Sequence, residues 1–419
     1  MLKASLLCAI ACAAIAASNR PHDLIHTLQA DHRHTLQTDE PASPFNKLMS
    51  LPRLCAVEPS VSGVSSGADM AVMYTTAHSS SVAGLGVFAG NAYRCAITRQ
   101  EGDGLVACDT PQLLSLGTVL VGCTLVDPRQ APCDPPCPPG YGLPPNKCMG
   151  CLASQEYIPL QNVSVLANVA RARARRGLID APEHLRGKPI LLHLAQNDGC
   201  YEGDSVLHTA QFFEEFGART VLLDRESFAG HHVPVAHPRA DGTAGDLISN
   251  ASDIDGPRRL LEHIYGVEVE PAVPMEESRL FRFDQSEFDP DGLAGLDPHG
   301  GLVYIPSACA VCGEQASSPC RIHVYLHGCD PLPSSSDASN VLSGQMFAEA
   351  AGNFTLNEYA EANNIIALYP RLSFGENAVG RAEESHCWDQ TGQTGDSFSD
   401  REGVQISAVH RMVTRLMGA

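Results

Sequence analysis

The sequence is short of cations and of aromatic residues. It has 28 Lys and Arg against 48 Asp and Glu, a formal net charge of -20, and a single tryptophan among 6% aromatic residues. A deficit of positive charge on this scale argues against a phosphate backbone or an anionic lipid surface as partner, so neither nucleic acid nor membrane binding is expected. Beyond the first residues there is no apolar run near the roughly 20 residues that a bilayer-spanning helix needs. There is also no internal repeat and no linker to a separate module. What is present, 44% hydrophobic and 18% charged residues, is ordinary for a globular chain with a sizeable core.

The first 18 residues read as a secretory signal peptide. Lys3 is followed by an apolar run from Ala4 to Ala17, with small residues at Ala14, Ala16 and Ser18, and the run is too short to cross a membrane. The expected location is therefore extracellular. Of 16 cysteines, Cys8 and Cys12 lie in this leader. The rest are even in number, which in an exported chain points to disulfides. The spacing of Cys133, Cys137, Cys148 and Cys151 would also suit a zinc knuckle, a reading that export disfavours. Sequons at Asn162, Asn250 and Asn353 are candidate glycosylation sites.

Residues 19–50 are polar and aperiodic and read as a flexible N-terminal segment. Residues 51–419 read as one domain with a Cys/Pro/Gly-rich insertion at about 96–155, which contains Cys133-Asp-Pro-Pro-Cys-Pro-Pro-Gly140 and so cannot be helix or central strand. Elsewhere strands alternate with helices. Strands are expected at 57–62, 82–89, 189–195, 220–223, 301–306, 321–326 and 365–369. Helices are expected at 68–77, 162–176, 205–216, 258–265, 356–363 and 404–416. Residues 267–300 read as an acidic crossover connection, and Arg171, Arg173, Arg175 and Arg176 as a solvated helix face. This alternation predicts an α/β fold with a mostly parallel sheet flanked by helices.

Gly63-Val64-Ser65-Ser66-Gly67 fits G-x-S-x-G. The motif places a serine on a sharp strand-to-helix turn, with glycines two residues either side to make room. Here an apolar strand precedes it and a helix follows. Ser65 is the candidate nucleophile. It needs a base and an orienting carboxylate, in the order Ser, Asp, His. Asp198 follows the 189–195 strand, with Asp204 and Asp224 as rivals. His231 follows the next strand in Ala229-Gly230-His231-His232, with His232 and His237 as rivals. An oxyanion hole takes one backbone N–H from the residue after the nucleophile, Ser66, and a second from a strand-end loop that ordinarily comes earlier in the chain. No such loop precedes Ser65. One occurs far downstream, where 324–326 runs into His327-Gly328-Cys329, as expected if the chain is circularly permuted.

Taken together, Gly63-Val-Ser-Ser-Gly67 with Met70, Gly86-Val-Phe-Ala-Gly90, Tyr93 with Cys95, Ala229-Gly-His-His-Val-Pro234, Leu261-Glu-His-Ile-Tyr-Gly266, Tyr304-Ile-Pro-Ser-Ala-Cys309, Arg321-Ile-His-Val-Tyr-Leu-His-Gly-Cys329, Ile366-Ala-Leu-Tyr-Pro370 and Cys387-Trp-Asp389 resemble the extracellular polyhydroxybutyrate (PHB) depolymerases of the circularly permuted, single-domain type. They run in family order from about residue 55 onward. The resemblance implies a permuted α/β-hydrolase fold and a triad of Ser65, Asp198 and His231. It implies an oxyanion hole from the N–H groups of Ser66 and Cys329, a crevice lined by Trp388, and a Cys329–Cys387 disulfide. It implies a secreted, monomeric serine esterase that cleaves polyester and needs no metal or organic cofactor. Ala68 and Asp69 depart from the Gly and aromatic that the family usually carries after the nucleophile. A carboxylesterase of other specificity, for feruloyl, acetyl-xylan or small esters, would show the same motifs. A hydrolase-fold binding protein that has lost the reaction is the alternative of another class.

Overall fold

The computed structural model describes residues 48–95, 98–101, 104–107, 163–193, 203–223, 233–235, 254–266, 269–309, 319–328, 355–373, 375–376, 382–383, 387–390 and 392–418. The strands in chain order are β1 (Leu48–Met49), β2 (Val57–Val64), β3 (Leu85–Phe88), β4 (Thr98–Glu101), β5 (Gly104–Ala107), β6 (Pro189–His193) and β7 (Arg219–Leu223). They continue with β8 (Leu280–Phe283), β9 (Gly301–Tyr304), β10 (Arg321–Leu326), β11 (Ile365–Tyr369), β12 (Gly375–Glu376) and β13 (Ala382–Glu383). The helices are α1 (Ser66–Ala77), α2 (Val163–Arg175), α3 (Gly203–Glu214), α4 (Gly256–Tyr265), α5 (Leu356–Asn363) and α6 (Val404–Met417).

One nine-stranded sheet runs β1-β8-β9-β11-β10-β2-β3-β6-β7. All its pairings are parallel except the two made by β9. The inner strands have a hydrophobic residue set for each face, as a sheet covered on both sides requires, whereas the edge strand β7 is largely exposed. Ile322, Val324 and Leu326 of β10 join Ile366 and Leu368 of β11 in one core, under α1, α2, α3 and α6. Tyr325, Ala367 and Tyr369 face the other way, under α4 and α5.

The sheet order is out of step with the chain order. The central strand β2 comes early, the chain fills one side with β3, β6 and β7, and only then builds β8, β9, β10 and β11 on the other. The seam is visible. Leu54 and Ala56, just before β2, both donate their N–H to the Leu416 carbonyl at the end of α6, each at 3.1 Å, and Arg53 reaches the Gly418 carbonyl. Joined there, the order becomes β8, β9, β10, β11, α6, β2, α1, β3, β6, β7, an α/β-hydrolase chain cut at a new point. Adjacent ends are what permit such a cut.

Several expectations shift. β8 lies within 267–300, which therefore holds a strand as well as a crossover. Leu48–Met49 pairs with β8, so the ordered sheet begins slightly before residue 51. The β4–β5 hairpin occupies the start of the Cys-rich insertion. Arg173 is not a solvated residue: it is paired with the buried Asp400 and ties α2 to the chain before α6. A Cys309–Cys320 disulfide clasps the connection between β9 and β10, and Cys55, Cys95 and Cys387 are also disulfide-bonded. Cys133, Cys137, Cys148, Cys151, Asn162, Asn250 and Asn353 lie outside the described residues.

Burial fixes several histidines as neutral. His323 on β10 sits between two β2 serines, with Nδ1 2.7 Å from Ser60 Oγ and Nε2 2.8 Å from Ser62 Oγ. Burial pushes its pKa down to about 3. His78, at the end of α1, stacks on His410 of α6 with ring centroids 3.8 Å apart. Burial, then repulsion from His410, lowers it to about 3. The unfolded chain takes up these protons near pH 6.5 and the folded chain does not. Stability is therefore present above that pH and lost as pH falls toward 3, at about 1.4 kcal/mol per pH unit for each group. Urea unfolding between pH 7 and pH 4 should show this loss, and His323→Gln should lessen its slope.

Candidate active site

β2 ends at Val64, and α1 begins at Ser66. The single residue between them, Ser65, has φ 56° and ψ -127°. A non-glycine residue in that region costs of order 1–3 kcal/mol and is held there by its surroundings. The Ser65 N–H donates to the Phe88 carbonyl at the end of β3 (3.0 Å), while its carbonyl accepts from Ala68 and Asp69 N–H in the first turn of α1. The serine is 8% exposed.

The motif glycines are demanded by space. A Cβ on Gly63 would lie 2.3 Å from the Gly67 carbonyl oxygen, and one on Gly67 would lie 2.2 Å from the carbonyl oxygens of Leu326 and His327. The start of α1 is thus pressed against the end of β10, the sequence-predicted oxyanion loop. Gly328 lies against Ser65, where an added Cβ would come within 3.1 Å of the serine Cβ. His327 steadies this loop. Its Nε2 accepts from Leu372 N–H just beyond β11 (3.3 Å), which leaves Nδ1 to donate to the Gly328 carbonyl (2.7 Å).

Register brings the ends of four strands to one edge. Val64 pairs with Phe88, Phe88 with His193 and His193 with Leu223, so β2, β3, β6 and β7 end level with one another. Asp198 and His231 follow β6 and β7 and lie outside the described residues, as do their rivals Asp224, His232 and His237 and the oxyanion candidate Cys329. The segment two residues beyond His231 is described. Val233 is buried in the same cluster as Val64 and Phe88, and the Pro234 carbonyl accepts from Gly256 N–H at the start of α4 (2.9 Å). Ligands of open parallel sheets bind at this edge, beyond the carboxyl ends of the strands.

Ser66 is buried, and its Oγ accepts the Trp388 N–H (3.3 Å). Trp388 was expected to line a crevice. Its ring is 1% exposed, packs 5.5 Å from the His327 ring, and buries an indole N–H with no partner among the described residues. Asp69 was legible only as an odd residue after the nucleophile motif. It is buried and accepts from Asn91 N–H (2.5 Å), Asn91 Nδ2 (3.0 Å) and Gln390 Nε2 (2.5 Å). Among the described residues no group of three or more His, Cys, Asp or Glu could hold a metal ion. Gly67→Ala should cost about 3 kcal/mol or more, because rigid backbone on both sides leaves the methyl no room. Denaturant unfolding would measure it, and a cost below about 1 kcal/mol would contradict this packing.

No family model matches the chain. A poly(3-hydroxybutyrate) depolymerase of Delftia acidovorans is 25% identical over 364 residues, covering 85% of this chain but 59% of that protein. A polyhydroxybutyrate depolymerase of Talaromyces funiculosus is 31% identical over 132 residues, 30% of this chain and 34% of that one. The chain therefore matches less than two thirds of the length of either curated relative. The PHB depolymerase from Penicillium funiculosum superposes with a TM-score of 0.63 at 21% identity, covering 88% of this chain and 99% of that one. A serine-to-alanine PHB depolymerase complexed with an R3HB trimer matches equally well. The chain is thus similar in sequence to PHB depolymerases over part of their length, and it shares the fold of the solved ones, that of a circularly permuted α/β-hydrolase.

Proposed function

We propose that the protein is a secreted serine esterase that hydrolyses poly(3-hydroxybutyrate)-type polyesters. The observation that carries this reading is Ser65, held at positive φ on a strand-to-helix turn at the carboxyl edge of the sheet, directly beneath the 326–328 backbone. The R3HB trimer bound to the related fold and the depolymerase relatives support the substrate class. The signal-like leader supports export.

In this reading His231 takes the proton from Ser65 Oγ as that oxygen bonds to the ester carbonyl carbon. Asp198 holds the imidazole in the tautomer that can accept it. The N–H of Ser66, at the amino end of α1, and that of Cys329 receive the negative charge on the carbonyl oxygen. His231 then passes the proton to the departing hydroxyl group. Water, activated by the same histidine, releases the hydroxyacid and restores Ser65. A Cys329–Cys387 disulfide would pin the oxyanion loop to the Trp388 loop; peptide mapping that pairs either cysteine elsewhere would remove that feature.

Purified protein should release 3-hydroxybutyrate from amorphous polymer, and Ser65→Ala should lower the rate by more than about 10³-fold. Hydrolysis of p-nitrophenyl esters without polymer release would retain the serine esterase and redirect the search to feruloyl, acetyl-xylan or small esters. Failure of Ser65 to react with a fluorophosphonate would favour a non-catalytic binding protein. Ser65→Gly should abolish activity yet raise stability by about 1 kcal/mol, since glycine adopts positive φ without strain. Thermal unfolding would read that gain.

A further inference from the structure

The loop that carries Trp388 is a small, internally braced unit. Asp389 closes it, with Oδ1 accepting from Gly392 N–H (2.7 Å) and Gln393 N–H (3.0 Å), and Oδ2 from the N–H and hydroxyl of Thr394, both 2.7 Å. Its far end is fastened by arginines. Arg94 donates to Ser399 Oγ (2.5 Å), Arg173 pairs with Asp400, and Arg401 reaches Asp180 (3.2 Å). At its near end, by Ser65, other groups supply bonds among the described residues. There the Trp388 N–H reaches Ser66 Oγ at 3.3 Å, a long bond, and Gln390 Nε2 reaches the Asp69 carboxylate at 2.5 Å.

The Trp388 ring contributes no polar anchor, because its indole N–H is buried without a partner among the described residues. Leaving a donor unsatisfied opposes the observed position, so the ring is held in by apolar packing together with bonds from its neighbours. Asp69 is well placed to supply them. It lies in the first turn of α1, where the positive end of the helix favours a carboxylate. One oxygen accepts from Asn91 N–H and the other from both Asn91 Nδ2 and Gln390 Nε2. It therefore joins three pieces of chain at the carboxyl edge: the nucleophile helix, the turn after β3, and the Trp388 loop.

We propose that Asp69 is a positioning residue that latches the Trp388 loop against the nucleophile turn through Gln390, and so sets where Trp388 stands beside Ser65. Its effect on ester hydrolysis rests on the proposed function; its effect on the loop does not.

Trp388 is the only tryptophan, so emission excited selectively at tryptophan reads this loop alone. Asp69→Asn keeps the shape and replaces one acceptor oxygen by a donor. Gln390→Ala breaks the same bond from the loop side and leaves the helix untouched. Both should red-shift Trp388 emission and raise its quenching by acrylamide, while far-ultraviolet circular dichroism stays that of the wild type. Both should lower kcat/KM on p-nitrophenyl butyrate by about 10-fold or more, the scale expected of a small misplacement near reacting groups. The double variant should be little worse than Asp69→Asn alone, since that change already removes the bond to Gln390. Unchanged emission and quenching in Gln390→Ala would overturn the latch, whatever the activity. Additive losses would also overturn it, by showing that the two residues act separately. The emission shift in both variants, with a wild-type protein that shows no esterase activity, would keep the latch and reject the proposed function.

Discussion

The close approach of two backbones at Gly67 is the constraint on which the rest of the site depends. The start of α1 lies against the carbonyls of Leu326 and His327 with no room for a methyl group. Because β10 and β2 are also paired, with Leu326 opposite Gly63, the serine turn and the 326–328 segment are fixed as one object. Ser65 cannot relax out of its positive φ while Phe88 holds its N–H and the first turn of α1 holds its carbonyl. Backbone strain at the serine is thus balanced by packing around it, as is common where a reactive group must be displayed.

A second level of organisation is polar and buried. His323 bridges Ser60 and Ser62 across the β2–β10 seam, and His327 bridges the ends of β10 and β11 through Gly328 and Leu372. Both use a neutral imidazole as donor and acceptor at once, which a hydrophobic side chain could not replace without stranding its partners. Asp69 repeats the arrangement with a carboxylate and amide donors. The carboxyl edge of the sheet is held by directional bonds, while the two faces are held by apolar burial.

Much of this was legible in the sequence, because strand and helix periods are strong wherever both faces of a sheet are covered. β2, β6, β10 and β11 and all six described helices fall within a few residues of expectation. Even the permutation was readable, from a His-Gly strand end that arrives too late in the chain. β8 was missed because Leu-Phe-Arg-Phe is short and sits in an acidic, turn-rich stretch, and β1 because two residues carry no period. Arg173 looked solvated because helical spacing cannot reveal Asp400, distant in the chain. The burial of Trp388 and the reach of Gln390 to Asp69 were invisible for the same reason: both depend on contacts spanning more than 300 residues.

The displaced cut also changes when the site can come into being. His323 and Ser60 are 263 residues apart, so β2 waits for a neighbour that is synthesised far later in the chain. Until then β2 has one flank bare, and closing so large a loop is both entropically costly and slow. The serine turn, which needs the end of β10 at its back, has nothing to press against in the growing chain. An unfinished copy would therefore carry the serine motif without its geometry, which would form only as the last third of the polypeptide takes its place.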